Sequence, residues 1–431
     1  MEQSALRKRR RALMKKIGDG IAIVATAPEQ TRNNDVLFPF RPDSDFYYLT
    51  GFAEPAAAAV FAPGRAEGEF LLFCRASDAE AETWNGRRAG LGGARETYAA
   101  DQAFAIGDLE KTLPSLLENR AKIFYNIGRH PGLDALIAAT VAELRARARA
   151  GVKAPADLSD IGAILHEMRL IKSADELRTM KRAAAVTVAA HTEAMRSCAP
   201  GMMEYQVQAE VERAFRQHGA APAYPSIVAG GANACILHYT ENNCGLRGGD
   251  LLLVDAGAEV DCYAADITRT IPVNGTFTPA QKDVMDIVIS ARDAAISEVR
   301  PGASVNRYHE TAVRVLARGL LDLKLLRGSV DRVVDSGAYK KFYMHRTGHW
   351  LGMDVHDVGD YKVNGAWRAL KPGMVLTVEP GLYLAGDDVP AGLRGTGVRV
   401  EDDVLVTESG SQVLTAAAPS TPAAVEEVMA R

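Results

Sequence analysis

The chain has 431 residues, 47% of them hydrophobic and 24% charged, with a formal net charge of -4. That length exceeds what one hydrophobic core usually serves, so two domains are expected. The slight acidity gives no pull toward nucleic acid or an anionic membrane, and no run of 18 apolar residues offers a membrane span.

Leu6, Leu13, Met14 and Ile17 fall at helical spacing, which makes the basic run Arg7–Arg11 the solvated face of an N-terminal helix. The apolar stretch Ile21–Ala27 is short, lies late and leads into polar chain, so it does not read as a secretory signal. Cys74, Cys198, Cys235, Cys244 and Cys262 are odd in number and lack CxxC spacing. A disulfide framework or thiolate zinc site is disfavoured, and a reducing cytoplasm is the expected compartment. Cys262 is read as a core residue. Ile21–Thr26, Ala57–Phe61 and Glu69–Phe73 predict strands, and Leu109–Arg120 and Leu133–Arg149 predict helices. Gly151–Asp157 reads as a loop leading into a short helix, Leu158–Met168. These elements make an N-terminal α/β domain over residues 1–172.

A capping box, Ser173-Ala-Asp-Glu176, then opens a long helix that Pro200-Gly201 stops. The domain boundary is placed near Lys172, with the second domain over residues 173–431. There Glu204–His218 predicts a helix, and Asp250–Gly257 and Cys262–Val273 predict strands. Thr278-Pro-Ala-Gln281 is another capping box, with Pro in the first turn of a helix that runs to Pro301-Gly302. A helix over Ser304–Leu323 and late strands over Met374–Glu379 and Val398–Val406 complete an α+β pattern.

Five residues carry the chemistry. Asp255, Asp266, His349, Glu379 and Glu401 sit in LLLVDAG, AADITRT, HRTGHWLGMDVHD, LTVEPGLY and GVRVEDDVLV. Several of these acids end or adjoin apolar runs, where a bare carboxylate is expensive. A hairpin centred between Val260 and Asp261 would set Asp255 opposite Asp266. Arg399 and Glu401 lie two apart on a strand and so share a face. Clustered carboxylates without cations repel. Four of them with one imidazole are the ligand set that suits two divalent ions about 3.5–4 Å apart, between which a water would become the nucleophile. The single imidazole among oxygen donors favours manganese, with cobalt, iron or zinc as alternatives.

These segments resemble the pita-bread metallopeptidases, and most closely the Xaa-Pro aminopeptidases. The resemblance rests on the whole stretch from His345 to Asp357, on ILHYTENN, DAGAEVDCYAADITRTIPVNG, KPGMVLTVEPGLY and GVRVEDDVLVTESG, and on the N-terminal FRPDSDFYYLTGFAEP and ETWNGRR. It implies an N-terminal α/β domain concerned with oligomerisation and substrate access, followed by a C-terminal pita-bread catalytic domain holding two metal ions. It implies that Asp266 and Glu401 bridge the metals, that Asp255 holds one, and that His349 and Glu379 hold the other. Glu379 is then the proton shuttle and His356 the oxyanion stabiliser. His238 and His345 shape the substrate pocket, and Arg399 partners the cluster. Tyr224 and Tyr383 lie near the site, and Trp84 is lent to a neighbouring subunit in a homo-oligomer, dimer or tetramer. The implied substrates are peptides with proline second.

The runner-up is an Xaa-Pro dipeptidase, prolidase, with the same ligands. Methionine aminopeptidases usually lack a large N-terminal domain, and creatinase-like relatives work without metals. A non-catalytic pita-bread binding module would have lost ligands, whereas all five are present here.

Overall fold

The computed structural model describes residues 2–430, and the chain divides between Arg169 and Leu170 into two compact units. The N-terminal unit is built on a six-stranded mixed sheet in the order Gln102–Ala105, Phe70–Cys74, Ala58–Phe61, Ile21–Ala25, Lys122–Phe124, Asp157–Ser159. The central strands are apolar throughout because both faces are covered. Ile21, Ile23, Val60, Leu71 and Phe73 pack with Leu113 and Leu117 of the helix Leu109–Leu117 and with Ile137 and Leu144 of the helix Pro131–Ala146.

Two local expectations are corrected in this unit. Leu158 belongs to a strand rather than a helix, pairing with Ile123 in parallel register, and the helix runs over Gly162–Leu170. An open sheet edge offers Leu158 ladder hydrogen bonds that periodicity alone does not reveal. The basic run is only partly solvated, since Arg9 and Arg10 of the helix Gln3–Ile17 are buried. Their guanidinium groups donate to the carbonyls of Tyr48 (3.1 Å) and Leu49 (3.0 Å), at the end of the helix Ser44–Thr50, and stack on the rings of Tyr48 and Phe70. Carbonyls at a helix C-terminus lack intrahelical partners, so the two arginines find acceptors without leaving the protein interior.

In the C-terminal unit, the helix Ala174–Ser197 packs with Glu204–Gln217, and Pro279–Ser297 packs with Arg307–Asp322. Both capping boxes form: Glu176 accepts from the Ser173 amide at 2.9 Å, and Gln281 from the Thr278 amide at 2.9 Å. The helices cover short antiparallel sheets, one ordered Ile227–Gly230, Leu251–Asp255, Thr268–Pro272 and another Val375–Val378, Asp402–Val406, Ser411–Val413. A two-stranded pair, Gly381–Leu384 with Thr396–Arg399, lies in sequence between Val375–Val378 and Asp402–Val406.

The register around the first two acids differs from the expected one. Asp255 pairs with Thr268, not Asp266, because the hairpin turns between Asp261 and Cys262. Both turn residues adopt positive φ, 48° and 61°, the geometry of a two-residue hairpin turn that glycine or asparagine usually signals. Cys262 is therefore a half-buried turn residue rather than part of the core. The late strand is also broken: Arg399 ends one strand, Asp402 begins the next, and Glu401 sits in the break.

Candidate metal centre

Those strand ends open onto a cavity of about 730 Å³ lined by Asp255, Asp266, His349, Glu379 and Glu401, with Tyr224, His238, His345, His356 and Arg399. All five sequence-proposed ligands thus meet in one place. Tyr383 lies just behind the wall, and Trp84 belongs to the N-terminal unit, on the helix Ala79–Asn85, where it is 82% exposed.

Close backbone approach makes the convergence possible. A Cβ at Gly257 would fall 1.8 Å from the carbonyl oxygen of Ala265, and one at Gly348 would fall 1.9 Å from that of Thr377. The first glycine lets the segment after Asp255 press against the segment before Asp266. The second lets the irregular His345–His349 chain lie along the strand Val375–Val378. That contact is stitched by two backbone bonds, Thr377 N–H to His349 O (2.9 Å) and Glu379 N–H to Thr347 O (2.8 Å), and by His349 N–H donating to the Thr377 hydroxyl (3.1 Å).

Asp266, His349 and Glu401 each offer a ligand atom within 4.8 Å of the others. His349 Nδ1 donates to the Trp350 carbonyl at 3.0 Å, which turns Nε2 toward Asp266 (3.4 Å) and Glu379 (3.8 Å). A ligating imidazole needs this tautomer. The Tyr224 hydroxyl lies between the Asp255 and Asp266 carboxylates, 2.7 Å from Asp255 Oδ1. Arg399 reaches Asp255 Oδ2 at 2.5 Å, the Thr268 hydroxyl at 3.0 Å and the Tyr383 hydroxyl at 2.9 Å, and Tyr383 meets His345 Nε2 at 2.8 Å. Thr268 in turn donates to Glu401 at 2.6 Å. Behind Glu401, buried Arg269 clasps its carbonyl (2.6 Å) and pairs with Asp402 (2.8 Å).

The electrostatics ask for added positive charge. Burial raises the pKa values of Asp255, Glu379 and Glu401, and neighbouring carboxylates push all three further up. Burial opposes a charged His349, yet the Asp266 hydrogen bond and the Glu379 charge outweigh it and lift its pKa to about 9. The imidazole takes up a proton where a cation would relieve the same repulsion. His345 moves the other way, to about 3, through burial and the Arg399 charge, and His356 is lowered by burial and by His349. Oxygen donors, one correctly presented imidazole and unneutralised acids together fit a divalent metal.

Sequence reasoning passed over a prop behind this wall. His309, on the helix Arg307–Asp322, accepts at Nδ1 from the Thr347 hydroxyl (2.8 Å), which also bonds Tyr343 (2.7 Å). Nothing in the local sequence marks His309, because its partner is far along the chain.

Fold and site together define a metallopeptidase, and the chain belongs to metallopeptidase family M24, whose match covers residues 178–408. Residues 6–125 match the aminopeptidase P N-terminal domain. The chain is 42% identical to an Xaa-Pro aminopeptidase of Escherichia coli, over 100% of this chain and 98% of that one. It superposes with a TM-score of 0.98 on the structure of a Pseudomonas aeruginosa aminopeptidase, at 50% identity over 100% of this chain and 98% of the other. The corresponding values for proline aminopeptidase P II from Yersinia pestis are 0.96 and 46%, with both chains fully covered. The architecture is accordingly an N-terminal α/β domain followed by a C-terminal pita-bread domain.

Proposed function

We propose that this protein is a metallo-aminopeptidase that hydrolyses the bond between an N-terminal residue and a following proline. The family match and the full-length likeness to Xaa-Pro aminopeptidases support the activity. The observation that carries it is the meeting of five candidate ligand residues on one cavity that also holds three further histidines and two arginines.

In this reading Asp255, Asp266, His349, Glu379 and Glu401 would hold two divalent ions per subunit, manganese being favoured by the single imidazole. When bound, they supply Lewis-acid polarisation of the scissile carbonyl and lower the pKa of water. The remaining work falls to side chains. Glu379 takes a proton from the attacking water and passes it to the departing proline nitrogen, which has no N–H of its own in the peptide. His356 stabilises charge developing on the carbonyl oxygen. His238 and His345 shape the pocket that receives the proline ring, with His345 oriented by Tyr383. Arg399 steadies Asp255 and Tyr383, and Tyr224 steadies Asp255 and Asp266. Exposed Trp84 is assigned to the site of a neighbouring subunit in a homo-oligomer, dimer or tetramer, as part of an N-terminal domain serving assembly and substrate access. The partners are peptides, with no role for nucleic acid or membrane, and the compartment is the cytoplasm.

The test combines metal analysis with two substrates. Chelation should abolish hydrolysis of an Xaa-Pro-Yaa tripeptide and manganese should restore it, and the tripeptide should be preferred to an Xaa-Pro dipeptide. Absence of stoichiometric divalent ions after reconstitution, or strong dipeptide preference, would overturn the reading.

A further inference from the structure

Arg346 lines the same cavity, next in sequence to His345, yet takes no part in the metal cluster. Its side chain is held by neutral groups. Nη2 donates to Asn306 Oδ1 at 2.7 Å, and the guanidinium lies 4.8 Å from the centre of the Trp367 ring. The Asn306 amide is itself oriented, because its Nδ2 donates to Glu310 at 2.6 Å and so leaves the oxygen for the arginine. Trp367 sits on a short hairpin, Lys362–Val363 with Ala366–Trp367, closed by Asn364 and Gly365 at φ 51° and 80°. That turn type needs positive φ at both central residues, and Asn-Gly suits it, which fixes the indole in place. The Lys362 ammonium lies 4.5 Å from the same ring. Neither Arg346 nor Lys362 has an acidic partner among the described residues.

A pre-set guanidinium that gives one Nη2 hydrogen to Asn306 keeps the other beside either Nε–H or Nη1–H, and that planar fork matches a carboxylate with two parallel bonds. Asn306 and Trp367 restrict its rotamers before any ligand arrives, so little ordering cost remains at binding. The acids of this cavity surround the metal centre, where a substrate's amino group belongs. Arg399 is engaged there by Asp255, whereas Arg346 is a lining cation outside that cluster, on the wall that it shares with Trp367. A peptide bound with its N-terminus among the acids presents its C-terminal side to this wall.

We propose that Arg346, steered by Asn306 and Trp367, is a specificity residue that receives a carboxylate of the substrate beyond the proline. The carboxylate is either the free C-terminus of an Xaa-Pro-Yaa tripeptide or an acidic side chain following the proline in a longer peptide. The inference rests on the aminopeptidase reading above and names the peptides that this site favours.

The experiment compares wild type, Arg346→Ala and Arg346→Lys, all loaded with manganese, on Ala-Pro-Gly, its C-terminal amide, and amidated Ala-Pro-Asp and Ala-Pro-Asn. Arg346→Ala should raise KM for the free acid about tenfold, the lower end for an exposed charged hydrogen bond. Its kcat should stay within about twofold, since His345 and Glu379 are untouched, and KM for the amide should hardly move. Arg346→Lys should recover part of the loss, because the charge returns without the fork. Discrimination between acid and amide assigns the main-chain carboxylate. Discrimination between the aspartyl and asparaginyl amides assigns the side chain. An equal KM change on all four peptides, or a fall in kcat with KM unaltered, overturns the proposal. If wild type cleaves only dipeptides, the aminopeptidase reading fails separately, and Ala-Pro against its amide then scores Arg346 alone.

Discussion

Glu379 is proposed both to hold metal and to move the proton, so its substitution separates the two. Glu379→Gln preserves size and one ligand oxygen but removes the base. Turnover of an Xaa-Pro-Yaa peptide should fall by about 10²–10⁴-fold while the circular dichroism spectrum is unchanged. Near-normal kcat would remove the assigned role. Gly348 poses a purely steric problem, because a methyl group 1.9 Å from the Thr377 oxygen forces two bonded segments apart. Gly348→Ala should cost about 1–3 kcal/mol, read from the urea midpoint, and weaken metal retention with it. At this scale the sequence was legible where an acid ended a run of Val and Leu, since burial makes such a residue costly without a purpose. It was not legible for Arg9 and Arg10, whose burial depends on helix-end carbonyls some forty residues onward. Nor was it legible for His309, which is marked only by Thr347 in the folded chain.

Elements were readable wherever local chemistry decides their ends. Ser173 and Thr278 announce their helices through Glu176 and Gln281, and both boxes form as read. Thr278→Ala should therefore cost about 1 kcal/mol with an unchanged denaturant slope, and Thr278→Ser should recover most of it. The hairpin after Asp255 shows the opposite case. Asp261-Cys262 carries no glycine, so its positive-φ turn was invisible and the register came out two residues wrong at the partner strand. The two aspartates still meet because a shift of two preserves the face of the sheet. The break between Arg399 and Asp402 was hidden for a related reason: the Val-Arg-Val-Glu alternation reads straight through it and does not report where the chain changes partners.

For the molecule as a whole, all five proposed ligands fall within the unit that begins at Leu170, while the N-terminal unit has its own core. Metal should accordingly stabilise one part of the chain directly. With free metal at about 100 times Kd, the gain is about 2.7 kcal/mol. Calorimetry with and without chelator should show the C-terminal transition moving down on metal removal, and in Glu401→Ala that shift should shrink. A metal-independent transition would contradict the ligand assignment. The role of the N-terminal unit was the least readable part, because Trp84 on an exposed helix has no partner group within reach of sequence reasoning.

The stitching of Thr347 and His349 to Thr377 and Glu379 makes an imidazole and a carboxylate into one rigid piece. Anyone wishing to retune this enzyme toward another ion by lengthening or shortening a single ligand would find the opposite one dragged along. Selectivity would have to be redesigned in pairs, with the backbone seam between Gly348 and Thr377 left intact.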